Sequence, residues 1–318
     1  MTERLAEVVL HTVIAATAAE VLLRWWRVTS PDFKLRMRLG VVLVPVVLHP
    51  LLRVAAPFRD SAAFEEEWAL LTVRTFERVE VWGLALDRTW LVLCAVCGLA
   101  LLAADLLPWA RRLGTSRSGL SPSLAPLALQ AKVAVLAQRM DLAPTPPVLF
   151  YETRAPLLSC RGVWRPQLVV SSGALALLDD EELEAALAHE LAHAQRGDVL
   201  ASWGLFAARV LQVFNPVVHV TARAMARDLE RRADVMAQRV TGRPLALASG
   251  LLKVHAATAG HGKGLARRAK AHEIEDRCRR LLALRQSVGG EHVTTVPFAR
   301  LRLASTALGL GALLFFVT

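Results

Sequence analysis

The sequence predicts a mainly α-helical integral membrane protein with about four transmembrane helices and an α+β domain inserted between helices three and four. Three observations carry this expectation. The 318 residues are 54% hydrophobic with a mean hydropathy of +0.39, more apolar than a soluble chain of this size requires. Four apolar stretches, about residues 5–23, 39–57, 89–107 and 299–318, approach the length that crosses a bilayer. Between the third and fourth, residues 118–290 read as amphipathic helices and short strands.

The first stretch is interrupted by Glu20, and it lacks a strongly basic leader and a small-residue cleavage site, so it reads as a retained span and not a signal peptide. The second contains Pro45, Pro50 and Arg53. The third, "TWLVLCAVCGLALLAA", is free of charge until Asp105, and the fourth is entered through Arg300 and Arg302. Loop charges orient these spans. Between the first two, Arg24, Arg27, Lys34, Arg36 and Arg38 against Asp32 give +4, whereas residues 58–88 carry four arginines and seven acids, −3. The first loop is therefore expected inside, as is the end of the third span with Arg111, Arg112 and Arg117. This layout makes residues 1–110 a membrane region with three transmembrane helices, 118–290 a cytoplasmic domain and 299–318 the fourth transmembrane helix. The net charge of +10 is spread through helices and juxtamembrane loops, which points to the membrane surface and away from nucleic acid. Cys94 and Cys97 form a C-x-x-C inside a span and read as packing residues; Cys160 and Cys278 fall where thiols stay reduced.

Within the inserted domain, "SGLSPSLAP" at 118–126 is a linker, "LALQAKVAVLAQRMDL" an amphipathic helix and "APTPP" its break. Short strands are expected at "VLFYE", "PLLSC" and "QLVVS". Residues 199–214, "VLASWGLFAARVLQVF", are apolar but hold Arg209 and Gln212, and read as a membrane-surface or buried helix in preference to a fifth span. "GHGKG" at 260–264 is a loop that matches no complete phosphate-binding motif.

The chemistry lies in "LLDDEELEAALAHELAHAQRGD". Asp179, with Glu182 three residues on, can cap a helix that Gly197 closes. Four residues apart on that helix, His189 and His193 share a face at a spacing where two imidazoles can bind one small cation; Glu190 points about 100° away, as a base beside a metal does. With nine histidines in the chain, random placement produces this pattern about 0.01 times, so chance explains it poorly. Zinc suits the donors because it accepts imidazole and carboxylate and keeps a fourth position for water. A second helix, opened by Asn215 and Pro216 and closed near Gly242, offers Glu230 as third ligand; Asp234, one turn on, can accept a hydrogen bond from the far nitrogen of a ligating histidine. His219 lies about 16 Å from Glu230 along a straight helix and reads as structural. His255, His261, His272 and His292 have no metal-ligand spacing.

His189-Glu190-Leu191-Ala192-His193, Arg196-Gly197-Asp198, Asn215-Pro216, and Glu230 with Ala233-Asp234 resemble the zinc-site helices of membrane-bound metallopeptidases of the gluzincin type. With Gly162, Arg165 and Pro166 in a Gly-x-x-Arg-Pro turn before a strand, residues 155–193 are similar to the beta-lactam-sensing antirepressor peptidases. The heat-shock and CAAX-type membrane peptidases share the two-helix signature, and both families carry a late helix similar to "EIEDRCRRLLAL". The resemblance implies a zincin-like α+β peptidase domain, a small β-sheet plus zinc-site helices, and an extended substrate bound along the edge of the strand leading to the zinc helix. It further implies one Zn2+ per chain held by His189, His193 and Glu230, with Glu190 as general base and Asp234 orienting a histidine.

The expected activity is that of a multi-pass membrane endopeptidase that cleaves a cytosolic or membrane-proximal protein, a regulatory repressor among the candidates. Its partners are a protein or peptide substrate and the bilayer; the sequence leaves the oligomeric state open, a homodimer included. The antirepressor sensors carry an external domain after the last span, and here the sequence ends at Thr318, so the trigger is expected to enter by another route. A quality-control or processing peptidase of the heat-shock or CAAX type and a non-catalytic zinc-binding sensor or scaffold are the alternatives; a transporter has no intramembrane charge pattern to support it.

Overall fold

The structure, a computed structural model, describes residues 2–70, 80–81, 84–114, 121–258, 265–286 and 299–317. The expected loop at 260–264, His292, the first residues of the linker and part of the expected external segment lie outside the described residues. The chain divides into two compact units. One comprises Met1–Ser116, Gly204–Asp228 and Val293–Thr318; the other comprises Arg117–Trp203 and Leu229–His292. The segment expected as one domain over 118–290 is thus interrupted, with residues 204–228 belonging to the first unit.

The first unit is helical. α1 (Thr2–Trp25) packs on α2 (Pro31–Ala55) through Ala15, Ala19, Leu23, Phe33, Met37 and Val41, all buried. The connection is short because Ser30 caps α2, its Oγ accepting from the Phe33 N–H at 3.4 Å, and Pro31 occupies the first turn. A short helix, α3 (Ala62–Glu67), and a two-residue hairpin of β1 (Glu80–Val81) and β2 (Leu84–Ala85) precede α4 (Leu86–Gly114), which meets α1 at Ala6, Val9, Leu91 and Cys94. The last helix, α12 (Ala299–Phe315), ends in a clamp. Arg59, 1% exposed, donates to the carbonyls of Phe315 and Val317 at 2.8 and 2.7 Å, and His11 Nε2 lies 2.9 Å from the Val317 oxygen.

Among the described residues, one continuous helix, Leu5–Trp25, is long and apolar enough to cross a membrane. The second expected span is two pieces, Pro31–Leu43 and Val46–Ala55, bent by 41° at the break that holds Pro45. The apolar part of the third is the shorter run Arg88–Ala104, and the fourth, α12, has 17 residues. Among the described residues, helix length and composition therefore give one span, or two if the bent pair counts as one, and by this measure do not establish the expected four.

In the second unit, α5 (Leu127–Arg139) leads to a three-stranded sheet of β3 (Val148–Tyr151), β4 (Leu158–Arg161) and β5 (Gln167–Ser171). The order is β3-β5-β4, with β5 parallel to β3 and antiparallel to β4. β5, the strand leading to the histidine helix, is central and paired on both sides, which explains three consecutive buried residues, Leu168, Val169 and Val170, and leaves it without the edge expected for an extended substrate; that side of the sheet ends at β4. The β4–β5 turn needs Gly162, whose φ is +93° and where a Cβ would stand 2.2 Å from the Arg165 carbonyl oxygen. After α6 (Ser172–Leu177), α7 (Asp180–Arg196) begins at the expected cap: Asp179 accepts from the N–H groups of Glu181 and Glu182, and Glu182 reaches back to the Asp179 N–H at 3.0 Å. Gly197, at φ 65°, ends the helix. Leu183, Leu187 and Leu191 of α7 enter one core with β5, α10 (Pro244–Thr258) and α11 (Leu265–Gln286). α8 (Asp198–Leu211) and α9 (Pro216–Thr241) each contribute residues to both units.

Glu182 is buried and bonded to Ser249 Oγ and Lys253 Nζ, both at 2.6 Å. Burial pushes its carboxyl upward, but Lys253, Ser249 and the Asp179 N–H together hold it below the usual carboxylate range. A depressed folded-state pKa gives stability that is present above the ordinary carboxylate value of about 4.3 and is lost as pH falls through the folded value. Chemical unfolding at pH 7 should show Glu182→Gln less stable than wild type, with the gap closing in acid. Leu191→Ala, at a site with 0% exposure, should cost about 2–5 kcal/mol at either pH.

Candidate active site

α7 and α9 bring together the three expected ligands. Nε2 of His189 and Nε2 of His193 stand 3.2 Å apart, and Glu230 places one oxygen 3.5 Å from the first and the other 3.7 Å from the second. Among the described residues these form the one group of three such side chains whose ligand atoms lie within 4.8 Å of one another. The separations have a meaning. With metal–ligand distances of about 2.0–2.1 Å, a tetrahedral zinc site has ligand atoms about 3.3 Å apart. The donors are therefore already spaced for a small four-coordinate cation.

Protonation leads to the same conclusion. His193 Nδ1 is 2.8 Å from Asp198 Oδ2, which fixes the proton on that nitrogen and leaves Nε2 as a lone pair facing the cluster. Asp198 is 4% exposed, follows the Gly197 turn, and is itself held by Arg232. The sequence contains Asp198 in a motif, but its role appears only here. Asp234 stands where expected, its Oδ1 3.1 Å from His189 Nδ1, although not in line for a hydrogen bond. Its carboxylate is gripped instead by Arg277 of α11, which donates through Nε at 2.9 Å and through Nη2 at 2.5 Å. Arg277 also donates to Glu230 Oε2 at 2.8 Å and brings Nη2 to 3.4 Å from His189 Nε2. Sequence spacing gives no means of finding Arg277, which is 43 residues from Asp234 and one of three arginines in its helix segment 274–284.

These charges shift one another. Burial opposes an imidazolium at His189, but Asp234 and Glu230 outweigh it and push the pKa up to about 10. Burial likewise opposes the carboxylate of Glu230, and His189, Arg277 and His193 outweigh it, holding Glu230 far below the usual range. A proton on His189 thus balances the carboxylates, and a bound divalent cation would take the place of that proton. His219 lies in the other unit, fully buried, accepting from Arg209 Nε at 3.2 Å, and is no part of the cluster. His272 is exposed.

Glu190 leaves the same helix on a different bearing. Its Oε2 accepts the Cys160 N–H of β4 at 2.7 Å. β4 is an edge of the sheet, and the bond from the Ser171 N–H to the Leu157 carbonyl sets the alternation by which Leu158 and Cys160 turn their main-chain groups outward. The Cys160 thiol is no nucleophile: burial first, then the Glu190 carboxylate, push its pKa to about 12.

The Glu190 carboxylate thus stands beside three side chains that could hold a metal ion and is bonded to an edge strand of the sheet. In comparison with known proteins, the family model described as BlaR1 peptidase M56 matches residues 62–283. This chain belongs to the BlaR1 peptidase M56 family. It is thereby a membrane metallopeptidase by family, and the match spans α7, α9 and the Arg277 helix. The chain is also similar to the Protease HtpX homolog of Aquifex aeolicus (strain VF5), 28% identical over 38% of this chain and 53% of that protein. It therefore spans about half the length of that relative.

Asp198→Asn keeps every donor atom of the cluster while loosening the hold on His193. It should lower zinc affinity by about 10–100-fold, read by titration against a competing chromogenic chelator. Unchanged affinity would remove Asp198 from the metal's support.

Proposed function

We propose that this protein is an integral membrane, zinc-dependent endopeptidase that hydrolyses peptide bonds of a cytosolic or membrane-proximal protein, a regulatory repressor among the candidates. The observation that carries the reading is the convergence of His189, His193 and Glu230 at tetrahedral spacing beside Glu190 and the outward groups of β4. An extended substrate adds to that edge through main-chain hydrogen bonds, which tolerate many sequences. Zinc, when bound, supplies a Lewis acid and lowers the pKa of its water toward 7. Glu190 takes the proton of the attacking water and passes it to the leaving amine. Asp198 keeps His193 in one tautomer throughout, while Arg277 fixes Glu230 and Asp234 on α9.

Four apolar stretches support four spans, and the loop charges support residues 118–290 toward the cytosol. A second reading, a membrane quality-control or processing peptidase, is favoured by the similarity to the Protease HtpX homolog. Quantitative proteomics separates the two readings: cells expressing wild type and Glu190→Gln differ in new termini on one soluble regulator in the first case and on many membrane proteins in the second. No difference would leave a non-catalytic zinc-binding scaffold.

The purified protein should hold close to one zinc per chain, and His193→Ala should lose most of it. Glu190→Gln should keep the metal and lose cleavage, since the base is not a ligand; full turnover in that variant would sink the assignment. For orientation, a cysteine placed at Ser61 should react with a membrane-impermeant reagent on intact cells and one at Ser118 should resist it. The reverse result would put the peptidase domain outside.

A further inference from the structure

We propose that Gly204–Asp228, comprising the end of α8, the turn at 212–215 and the first half of α9, is a re-entrant hairpin that enters the bilayer and turns near its midplane among α1, α2 and α4. The inference rests on the reading that those three helices cross the membrane, and it concerns a segment whose apolar character alone fits a surface helix equally well.

What the turn touches decides its depth. Asn215 Nδ2 donates to Thr12 Oγ1 at 2.9 Å, and Gln212 Nε2 donates to the Val42 carbonyl at 3.2 Å. At Gly98 the backbone of α4 comes so close to Val213 that a Cβ would stand 1.9 Å from its carbonyl oxygen. Thr12 and Gly98 lie well inside their helices, and Val42 lies at the bend of α2, remote from that helix's two outer ends. Thr12 is 13 residues before Trp25, the end of α1, and Val42 is 11 residues after Pro31, the start of α2, or about 20 and 16 Å along the axes. Those two helix ends share one short connection and so lie on one side. Gly98 is 12 residues into α4 and 16 from its end, about 18 and 24 Å. Half of a bilayer's hydrocarbon core is about 15 Å, so a turn held at these positions cannot lie at the surface of a membrane that the helices cross. The 14 residues of α8 rise only about 20 Å, too few to traverse a core of about 30 Å, and α9 leads back.

The chemistry of the hairpin suits that depth. Non-helical backbone is tolerated in hydrocarbon only where protein satisfies it. Here the Asn215 N–H donates to the Gln212 carbonyl at 2.8 Å, Asn215 Oδ1 accepts from the Val217 N–H at 3.2 Å, and His219 Nε2 lies 3.3 Å from the Val213 carbonyl. Gln212, Asn215 and His219 are each no more than 4% exposed. Arg209 turns inward to His219 Nδ1, and Arg223 donates to the Leu101 carbonyl of α4 at 3.0 Å. Intramembrane polar groups face the bundle interior in this way. The opposite face is apolar and uncovered: Leu211 is 76% exposed, Val220 57% and Val210 46%. Lipid tails are the occupant that fits, because this face continues the outer surface of helices whose own exposed residues at the same depth, such as Val96 at 58%, are equally apolar.

The test uses the full chain in phosphatidylcholine nanodiscs, with an environment-sensitive fluorescent amino acid placed singly at Val96 or Leu211. Quenching is compared between lipids spin-labelled deep and shallow on the acyl chain and aqueous iodide; monodisperse elution and an unchanged helical circular-dichroism signal qualify each protein. Deep-lipid quenching at both sites, with neither reached by iodide, is the expected result. Deep quenching at Val96 with shallow or iodide quenching at Leu211 would overturn the hairpin and leave the spans standing. Iodide quenching at Val96 would instead remove the spans on which the inference rests.

Discussion

Three electron-pair donors buried against one another repel unless a positive charge lies among them, and much of the second unit is arranged around that constraint. His189, His193 and Glu230 point their lone pairs at one small volume. A cation bound there would have no covalent tie to the fold, so the three side chains must be held from outside. Asp198 holds His193, and Arg277 spans Glu230 and Asp234 in a paired, charge-assisted lattice. A proton on His189 balances this lattice when the metal is away. Cation affinity, tautomer and helix register are consequently one coupled problem.

The same helix solves a second one. One face of α7 buries Leu183, Leu187 and Leu191, which locks its rotation; the histidines follow from that rotation, and Glu190 falls toward the sheet edge. The bond from the Cys160 N–H ties Glu190 to β4, so that under the proposed function the base and a substrate on that strand would share one frame of reference. Gly162 and the β4–β5 hairpin matter for this reason, since they position the edge without contributing any reacting group.

The first unit shows how polar side chains are used where apolar ones would pack as well. Arg38 bonds both Glu20 of α1 and Asp228 of α9, Asn215 bonds Thr12, and Gln212 bonds a main-chain carbonyl of α2. Hydrogen bonds are directional, and a register shift of one residue breaks them, whereas apolar contacts slide. These residues therefore specify which helices meet and at what height. Arg59 and His11 do the same for the end of α12.

Whatever depends on neighbours along the chain was readable from the sequence. The Asp179–Glu182 cap, the Gly197 and Gly242 stops, the Asn215-Pro216 start and the facing of His189 with His193 follow from helix periodicity and backbone preference, which act over a few residues. The three strands followed from apolar runs bounded by turn residues. That Glu230 and Asp234 share one helix face follows from the same periodicity. Tertiary structure alone decided the rest: that Arg277 from a later helix joins Glu230 to Asp234, that β4 and not β3 meets Glu190, and that 204–228 packs with α1, α2 and α4. Each of these joins residues at least 30 positions apart, and a contact at that separation leaves no period in the sequence, because it is fixed by how whole helix faces pack.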